Sequence, residues 1–304
     1  MKMNTSRYAR LTIVIIFLTT LLCILPSFAR GQIFVSSGKG GTTVGKYNLD
    51  GTTVNASLLS GLDDPESLAL SGSNLFVMNF NSGTIGKYTL DGAPINASLI
   101  TGLFSMSDIA VSGTNLFVSN GSRILEYTTT GQAVNTSLIT GLSFAFAMEV
   151  LGSDLFVATS GTTIAQYTTS GVLVNPSLLT VSSGISDFAV SGTDIFVTSG
   201  GLGTIGRYTT AGAVVNASLV TGLSSPRSIV VSGSNLFVTN IGSHTIGEYT
   251  TSGNTVNASL VTGLQGPADI AVVPEPSTRA ILVLGAALTG VFRFVKKKQS
   301  IGDS

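Results

Sequence analysis

The chain has 304 residues, of which 15 are basic and 15 are acidic, so its formal net charge is +0. Charged residues make up only 10 % of the chain and hydrophobic residues 43 %, a balance that excludes an intrinsically disordered protein. No basic excess is available to neutralise phosphates, so nucleic acid is excluded as the expected partner. The 36 glycines, together with frequent Ser, Thr and Asn, favour β-structure with many tight turns.

Residues 1–29 have the layout of a secretory signal peptide. Basic residues precede an apolar run from Leu11 to Leu25, and Ser27-Phe28-Ala29 offers the small residues that a signal peptidase reads. We therefore predict export, with cleavage after Ala29 and with Gly31 as the second choice. The apolar run is shorter than the roughly 20 residues that cross a bilayer, so a retained membrane anchor is the less favoured alternative.

A repeat of about forty residues fills the middle of the chain. Two markers recur with this period, an IFV or LFV tripeptide and a tyrosine. The tripeptides begin at residues 33, 75, 116, 155, 195 and 236, and the tyrosines are Tyr47, Tyr88, Tyr127, Tyr167, Tyr208 and Tyr249. This period is typical of β-propeller blades, which have four strands each.

The second repeat shows the four expected strands, A to D, at residues 67–72, 74–79, 84–92 and 95–103. The first copy of strand B, at residues 33–35, has no strand A before it, and the last copy of strand A, at 269–272, has no strand B after it. We expect these two strands to pair and close the ring, which removes the exposed sheet edges. The sequence thus predicts an all-β, six-bladed propeller over residues 32–273.

The repeat also resembles a known group of propeller repeats. FVTN at 237–240 is followed by HTIGEY at 244–249, and the second repeat has GTIGKY at 83–88. These motifs resemble the YVTN and NHL-like propeller repeats of exported proteins. The resemblance implies a fold and leaves the activity open.

The C-terminal segment has three parts in a fixed order. Pro274-Glu275-Pro276 precedes an apolar stretch from Ala280 to Phe292, and basic residues follow at Arg293, Lys296, Lys297 and Lys298. Residues 274–298 resemble the PEP-CTERM sorting signal. The resemblance implies a transmembrane helix that transiently anchors the protein in the inner membrane, processing by an exosortase-like enzyme, and release to the cell surface or extracellular matrix. A plain C-terminal anchor is the alternative.

Acidic residues occur at the start of alternate copies of strand A. The six equivalent positions are Ser67, Asp108, Ala147, Asp187, Ser228 and Asp269. Three carboxylates with threefold spacing around the channel would form a candidate calcium site. The favoured alternative is that each Asp accepts hydrogen bonds from the backbone of its own turn. Glu149 stands where four other repeats have Ala, and it is either a further metal ligand or a locally accommodated side chain.

The predicted propeller carries six basic and thirteen acidic residues between 32 and 273, a net charge of −7. This charge favours neutral glycans or divalent cations over anionic polymers as partners. The nearly uniform blades and the sorting signal favour an exported, non-enzymatic propeller without a cofactor, which binds or organises extracellular glycan or matrix protein. The alternative is a metal-dependent hydrolase or lyase at the channel mouth, built on Asp108, Asp187, Asp269 and Glu149.

Overall fold

Six four-stranded antiparallel sheets follow one another along the chain, and each contains the four kinds of strand predicted from the repeat. The structure, a computed structural model, describes residues 31–275, in which all 24 regular elements are β-strands. No helix in this range has the length and apolar character needed to cross a membrane. The predicted signal peptide with Ala29, and the tail residues Pro276, Arg293, Lys296, Lys297 and Lys298, lie outside the described residues; Pro274 and Glu275 directly follow the last strand.

The strands are short, and they are named here in chain order. The first twelve are β1 (Gln32–Ser37), β2 (Val44–Asn48), β3 (Thr53–Leu59), β4 (Pro65–Ser71), β5 (Asn74–Asn79), β6 (Thr84–Thr89), β7 (Pro94–Ile100), β8 (Met106–Ser112), β9 (Asn115–Asn120), β10 (Arg123–Thr128), β11 (Ala133–Ile139) and β12 (Ala145–Leu151). The next twelve are β13 (Asp154–Thr159), β14 (Thr163–Thr168), β15 (Leu173–Thr180), β16 (Asp187–Ser191), β17 (Asp194–Ser199), β18 (Thr204–Thr209), β19 (Val214–Val220), β20 (Pro226–Ser232), β21 (Asn235–Asn240), β22 (Thr245–Thr250), β23 (Thr255–Val261) and β24 (Pro267–Val273).

The sheets form six blades in a closed ring. Blade 1 has the order β24-β1-β2-β3, and blades 2 to 6 are β4–β7, β8–β11, β12–β15, β16–β19 and β20–β23. The innermost strand of each blade contacts that of the next, and β24 contacts both β20 and β4. The prediction of an all-β propeller with six four-stranded blades is confirmed.

Closure depends on the pairing of the first and last strands of the propeller. Val35 lies opposite Ile270, Phe34 opposite Ala271 and Ile33 opposite Val272 in an antiparallel ladder. Blade 1 is therefore assembled from both ends of the repeat region, as predicted. A ring closed in this way has no unpaired inner strand.

Two strands of the second repeat end before their predicted limits. β6 ends at Thr89, because the Gly92 N–H donates to the Thr89 carbonyl across a turn in which Gly92 has φ 85°. β7 then runs only from Pro94 to Ile100. The periodicity located the strands, whereas the turn chemistry sets where they end.

One phenylalanine from the second strand of each blade forms the centre of the packing between blades. These residues are Phe34, Phe76, Phe117, Phe156, Phe196 and Phe237, and each is 2 % exposed or less. The chain contains no Trp, so Phe supplies the large aromatic surface that holds neighbouring sheets together. Cationic groups lie over three of these rings, with Lys46 Nζ 5.7 Å from the Phe34 centroid and Lys87 Nζ 5.4 Å from that of Phe76.

The outermost strand of every blade contains the same bulge. Within each Asn-x-Ser motif the Ser N–H donates to the Asn Oδ1 over 3.0–3.1 Å. The asparagines are Asn55, Asn96, Asn135, Asn175, Asn216 and Asn257. The register with the third strand shifts at this point, for example between Lys87 and Tyr88. The motif therefore recurs because it shapes the outer edge of the sheet.

Glycines at the turn before each outer strand bring neighbouring blades together at the rim. A Cβ added to Gly51 in blade 1 would lie 2.1 Å from the carbonyl oxygen of Leu260 in blade 6. The five equivalent glycines face a leucine carbonyl of the preceding blade in the same way: Gly92, Gly131, Gly171, Gly212 and Gly253. Only glycine permits this approach, and each also has a positive φ.

This arrangement predicts different costs for two glycine substitutions. Gly51 and Gly61 have φ of 84° and 70°, but a Cβ at Gly61 would meet nothing within 4 Å. Gly61→Ala should lower the free energy of unfolding by about 1–2 kcal/mol through backbone strain alone, and Gly51→Ala by about 2–4 kcal/mol because it also pushes blades 1 and 6 apart. Urea unfolding measures both, and equal losses would contradict the close contact at the rim.

Candidate functional site

The predicted carboxylates line the central channel in alternate blades. Asp269 belongs to blade 1, Asp108 to blade 3 and Asp187 to blade 5, on the innermost strands. Ser67, Ala147 and Ser228 occupy the equivalent positions in blades 2, 4 and 6. We call these six residues the carboxylate ring.

Each aspartate bridges to the blade that follows it. Asp269 Oδ2 accepts the Leu68 N–H of blade 2 at 2.7 Å. Asp108 Oδ2 accepts the Met148 N–H of blade 4 at 2.6 Å, and Asp187 Oδ2 accepts the Ile229 N–H of blade 6 at 3.0 Å. These bonds run from the carboxyl group of one blade to the backbone of the next, so each aspartate joins two blades.

The two serines of the carboxylate ring connect Asp108 and Asp269 to the preceding blade. Ser67 Oγ donates to Asp108 Oδ1 at 2.7 Å, and Ser228 Oγ donates to Asp269 Oδ1 at 2.5 Å. Each aspartate also accepts the N–H of the residue that follows it. This last bond is the local backbone contact that the sequence suggested, and the bonds to neighbouring blades are additional.

The junction between blades 4 and 5 differs from the other five. Ala147 occupies the serine position there and has no hydroxyl to offer to Asp187 Oδ1, which accepts the Phe188 N–H. The Ser228 hydroxyl that interacts with the Asp187 carboxyl belongs to blade 6, so it does not link blades 4 and 5. The side chain of Ala147 is 3 % exposed. Hydrogen bonds of the carboxylate ring therefore link neighbouring blades at every junction except this one.

The position of these groups raises their pKa values. Burial is the largest cause, and repulsion between the aspartates adds to it. The pKa of Asp187 is raised to about 7 by burial and by the charge of Asp269. The pKa of Asp108 is raised well above its ordinary value by burial and by the other two aspartates, and burial also raises that of Asp269.

Glu149 lies on β12 two residues after Ala147, and so farther along the channel than the carboxylate ring. The equivalent residues are Ala69, Ala110, Ala189, Val230 and Ala271. Glu149 lines a cavity of about 200 Å³ together with four of these residues, Ala69, Ala110, Val230 and Ala271, and with Asp108, Asp187, Ser228 and Asp269 of the ring. Its pKa is raised to about 8 by burial and then by the charges of Asp187 and Asp269. The carboxyl is thus mainly protonated at neutral pH.

The sequence offered the aspartates and Glu149 as candidate calcium ligands, with local hydrogen bonding as the favoured alternative for the aspartates, and all four line one cavity of the channel. Within residues 31–275, no three His, Cys, Asp or Glu side chains are grouped closely enough to share one ion. The aspartate oxygens instead accept hydrogen bonds from backbone and serine donors. The calcium site stays a prediction.

A second ring, which the sequence reasoning did not identify, surrounds the mouth of the channel at the start of the innermost strands. We call it the mouth ring, and its residues are Glu66, Ser107, Phe146, Ser186, Arg227 and Ala268. Together with adjacent loops, it lines a cavity of about 510 Å³. The register of the innermost strand is irregular at this point in five blades, for instance between Pro65 and Ser67. This bulge lets consecutive residues such as Glu66 and Ser67 both face the cavity.

Two carboxylates hold one side of the mouth in place. Asp64 Oδ1 accepts the Gly40 N–H at 3.1 Å, and Glu66 Oε1 accepts the Lys39 N–H at 3.1 Å. The other oxygen of Glu66 is ion-paired with Arg227 of blade 6, so the pair spans blade 1. Ala268, the mouth-ring residue of blade 1, is small enough to leave this space free.

Comparisons with known proteins agree on the fold. No family model and no curated protein matches the sequence. A chain in the crystal structure of a nidogen/laminin complex is 14 % identical with a TM-score of 0.69, and the match covers 80 % of this chain and 98 % of that one. A protein of unknown function from Bacteroides caccae is 16 % identical with a TM-score of 0.60 and the same coverage. Virginiamycin B lyase from Staphylococcus aureus is 19 % identical with a TM-score of 0.54, over 67 % of this chain and 73 % of that one.

The incomplete junction predicts that Ala147→Ser stabilises the protein. The new hydroxyl would donate to Asp187 Oδ1, as Ser67 does to Asp108, and should raise the free energy of unfolding by about 1 kcal/mol. Ala189→Ser is the matched control, because Ala189 is also a buried alanine on the innermost strand of its blade. Chemical denaturation compares the two, and an equal effect of both changes would contradict the role assigned to the serine position.

The raised pKa of Glu149 predicts a pH-dependent effect of Glu149→Gln. The folded protein keeps a proton that the unfolded chain loses near pH 4.5, so wild-type stability falls as the pH rises from there to about 8. The amide keeps the shape without the charge, so the gain in melting temperature should be larger at about pH 8.5 than at about pH 4.5. Thermal unfolding across this range measures it, and a gain independent of pH would contradict the assignment.

Proposed function

We propose that this chain is an exported, non-enzymatic β-propeller that binds extracellular glycan or matrix protein and thereby organises the matrix. The non-enzymatic part of the proposal rests on the channel carboxylates, which act as structural bridges between blades. Both oxygens of Asp108 and Asp269 accept hydrogen bonds that join blades. A catalytic acid or metal ligand needs free lone pairs directed at a substrate or ion, and in Asp108 and Asp269 three of the roughly four carboxylate lone pairs already accept hydrogen bonds.

The two chain ends support export. The predicted signal peptide and the Pro274-Glu275-Pro276 tail, with its apolar segment and its lysine cluster, resemble signals read by a signal peptidase and an exosortase-like enzyme. Positive residues after the apolar segment favour a cytoplasmic end for it. On this proposal the propeller is first held at the inner membrane and then released to the cell surface or extracellular matrix.

A second candidate function, a metal-dependent hydrolase or lyase, is favoured by one observation. Glu149 projects a carboxyl with a pKa raised to about 8 into the channel cavity. Perturbed carboxyls in cavities are candidates for acid or base catalysis. Virginiamycin B lyase shares the fold, but at 19 % identity this likeness says nothing about activity.

The tail yields a test of export in the native host. The extracellular protein should end between Pro274 and Ser277, since proline favours the extended backbone that a processing enzyme can bind. Changing Lys296, Lys297 and Lys298 together to Ser should leave unprocessed protein in the membrane fraction, because the segment loses its orientation signal. Mass spectrometry of the fractions measures both. An extracellular product that retains Ala280–Phe292 would contradict the proposal.

The same preparations separate the two candidate functions. Elemental analysis of purified mature protein should find no stoichiometric metal if the propeller is non-enzymatic. One bound calcium per chain that is lost in Asp187→Ala but kept in Asp63→Ala, an exposed carboxylate, would favour the enzyme instead.

A further inference from the structure

The mouth ring differs from blade to blade, although most of the propeller repeats. At the Phe position of the second strand, all six blades have the same residue, whereas the mouth ring contains an acid, a base, an aromatic residue, two serines and an alanine. A position that serves only the scaffold would repeat with the scaffold. Five different residue types at six equivalent positions around one cavity are typical of a binding site, where a few polar groups converge on an apolar surface.

One side of the mouth is polar, and an ion pair and hydrogen bonds hold its side chains in position. The Glu66–Arg227 ion pair lies beside the loop of blade 1 that Asp64 and Glu66 bind through backbone N–H groups. Arg227 is therefore neutralised by its partner and does not offer a free positive charge to an anion. The pair still presents donors and acceptors to the cavity, because about a third of the Arg227 side chain (36 %) is exposed.

Aromatic residues also line the mouth. Phe146 of blade 4 and Phe80 of blade 2 line the cavity, and Phe80, whose N–H donates to the Asp64 carbonyl, is 45 % exposed. Two further phenylalanines lie in the neighbouring loops, Phe104 with 76 % and Phe144 with 43 % exposure. Their loops are hydrogen-bonded to the loops of blades 2 and 3, through Leu103 N–H and other donors.

The distribution of aromatic residues supports a specific ligand-binding site rather than nonspecific exposure of apolar surface. Among residues 31–275, every exposed phenylalanine lies in these mouth loops, and the other exposed large apolar side chains are aliphatic. Exposed aromatic rings in a group rimmed by polar residues mark interaction sites. None of the four occupies the Phe position of the repeat, so the scaffold does not require them.

We propose that the mouth cavity binds a neutral saccharide. A pyranose ring has an apolar C–H face that packs on Phe146 and Phe80, and hydroxyls that hydrogen-bond to the Glu66–Arg227 pair and to Ser107. The net charge of −7 over residues 32–273 repels acidic polysaccharides, and the Glu66–Arg227 pair has no net positive charge to offset this repulsion. A cavity of about 510 Å³ is within the range of small-ligand sites, about 300–1,000 Å³. The inference rests on the proposed function, whose ligand and binding site it names.

The test uses three variants of the mature protein. Phe146→Ser removes the aromatic face and introduces the residue that two other blades have at this position, Ser107 and Ser186. The double variant Glu66→Ser/Arg227→Ser removes both charges and so leaves none unpaired. Val172→Ser, at a site that is 61 % exposed in the outer turn of blade 4, is the matched control. Circular dichroism and melting temperature check that each variant is folded.

The probes are cellopentaose and maltopentaose, which are neutral, and a pentamer of galacturonate, which is anionic. Saturation-transfer NMR and calorimetric titration should show wild-type binding of at least one neutral probe. The dissociation constant should rise at least tenfold in Phe146→Ser and in the double variant, and stay unchanged in Val172→Ser. The galacturonate pentamer should bind at least tenfold more weakly than the better neutral probe.

Three results would overturn the inference: no binding of either neutral probe, full binding by folded Phe146→Ser, or a preference for galacturonate. These outcomes are distinct from a failure of the proposed function. If the processed protein is found in the matrix and no neutral probe binds, the saccharide site is wrong and export stands. If the site variants behave as expected and the tail is never processed, the export proposal is wrong and the site stands.

Discussion

A propeller depends on the join between neighbouring blades, because each four-stranded sheet buries its faces only against the sheets beside it. Three kinds of contact make this join here, at increasing distance from the axis. Carboxylates bind backbone N–H groups at the channel, phenylalanines pack at mid-depth, and rim glycines approach leucine carbonyls. The rim glycines act at all six junctions and the channel hydrogen bonds at five, and closure through β24 includes both junctions of blade 1 among them.

The blades were predictable from the sequence because buried strands recur with the repeat. The IFV tripeptides and the tyrosines gave the number of blades, and the unpaired copies of strands A and B gave the closure. The alternating aspartates were also visible, but their partners were not. Asp108 accepts a backbone N–H from Met148, forty residues farther along the chain, and a backbone donor has no signature in residue type.

The mouth ring escaped sequence reasoning for a geometric reason. In a regular strand consecutive side chains point to opposite faces, so Ser67 on the channel side implies that Glu66 points away. The bulge at the start of β4 breaks that alternation and brings both to the cavity. The sequence does contain a signal, which is the change of chemical character at this one position from repeat to repeat. The apparent uniformity of the blades holds for the scaffold and fails at the mouth.

The alternation of acid and non-acid around the channel also restricts how such a protein changes its size in evolution. Each aspartate stands between two blades without one, and this order closes on itself only when the number of blades is even. Insertion of one repeat would place two carboxylates, or two hydroxyls, at a single junction, even though every strand could still pair. Insertion of two repeats together would keep the alternation, so this inner ring is compatible only with an even number of blades.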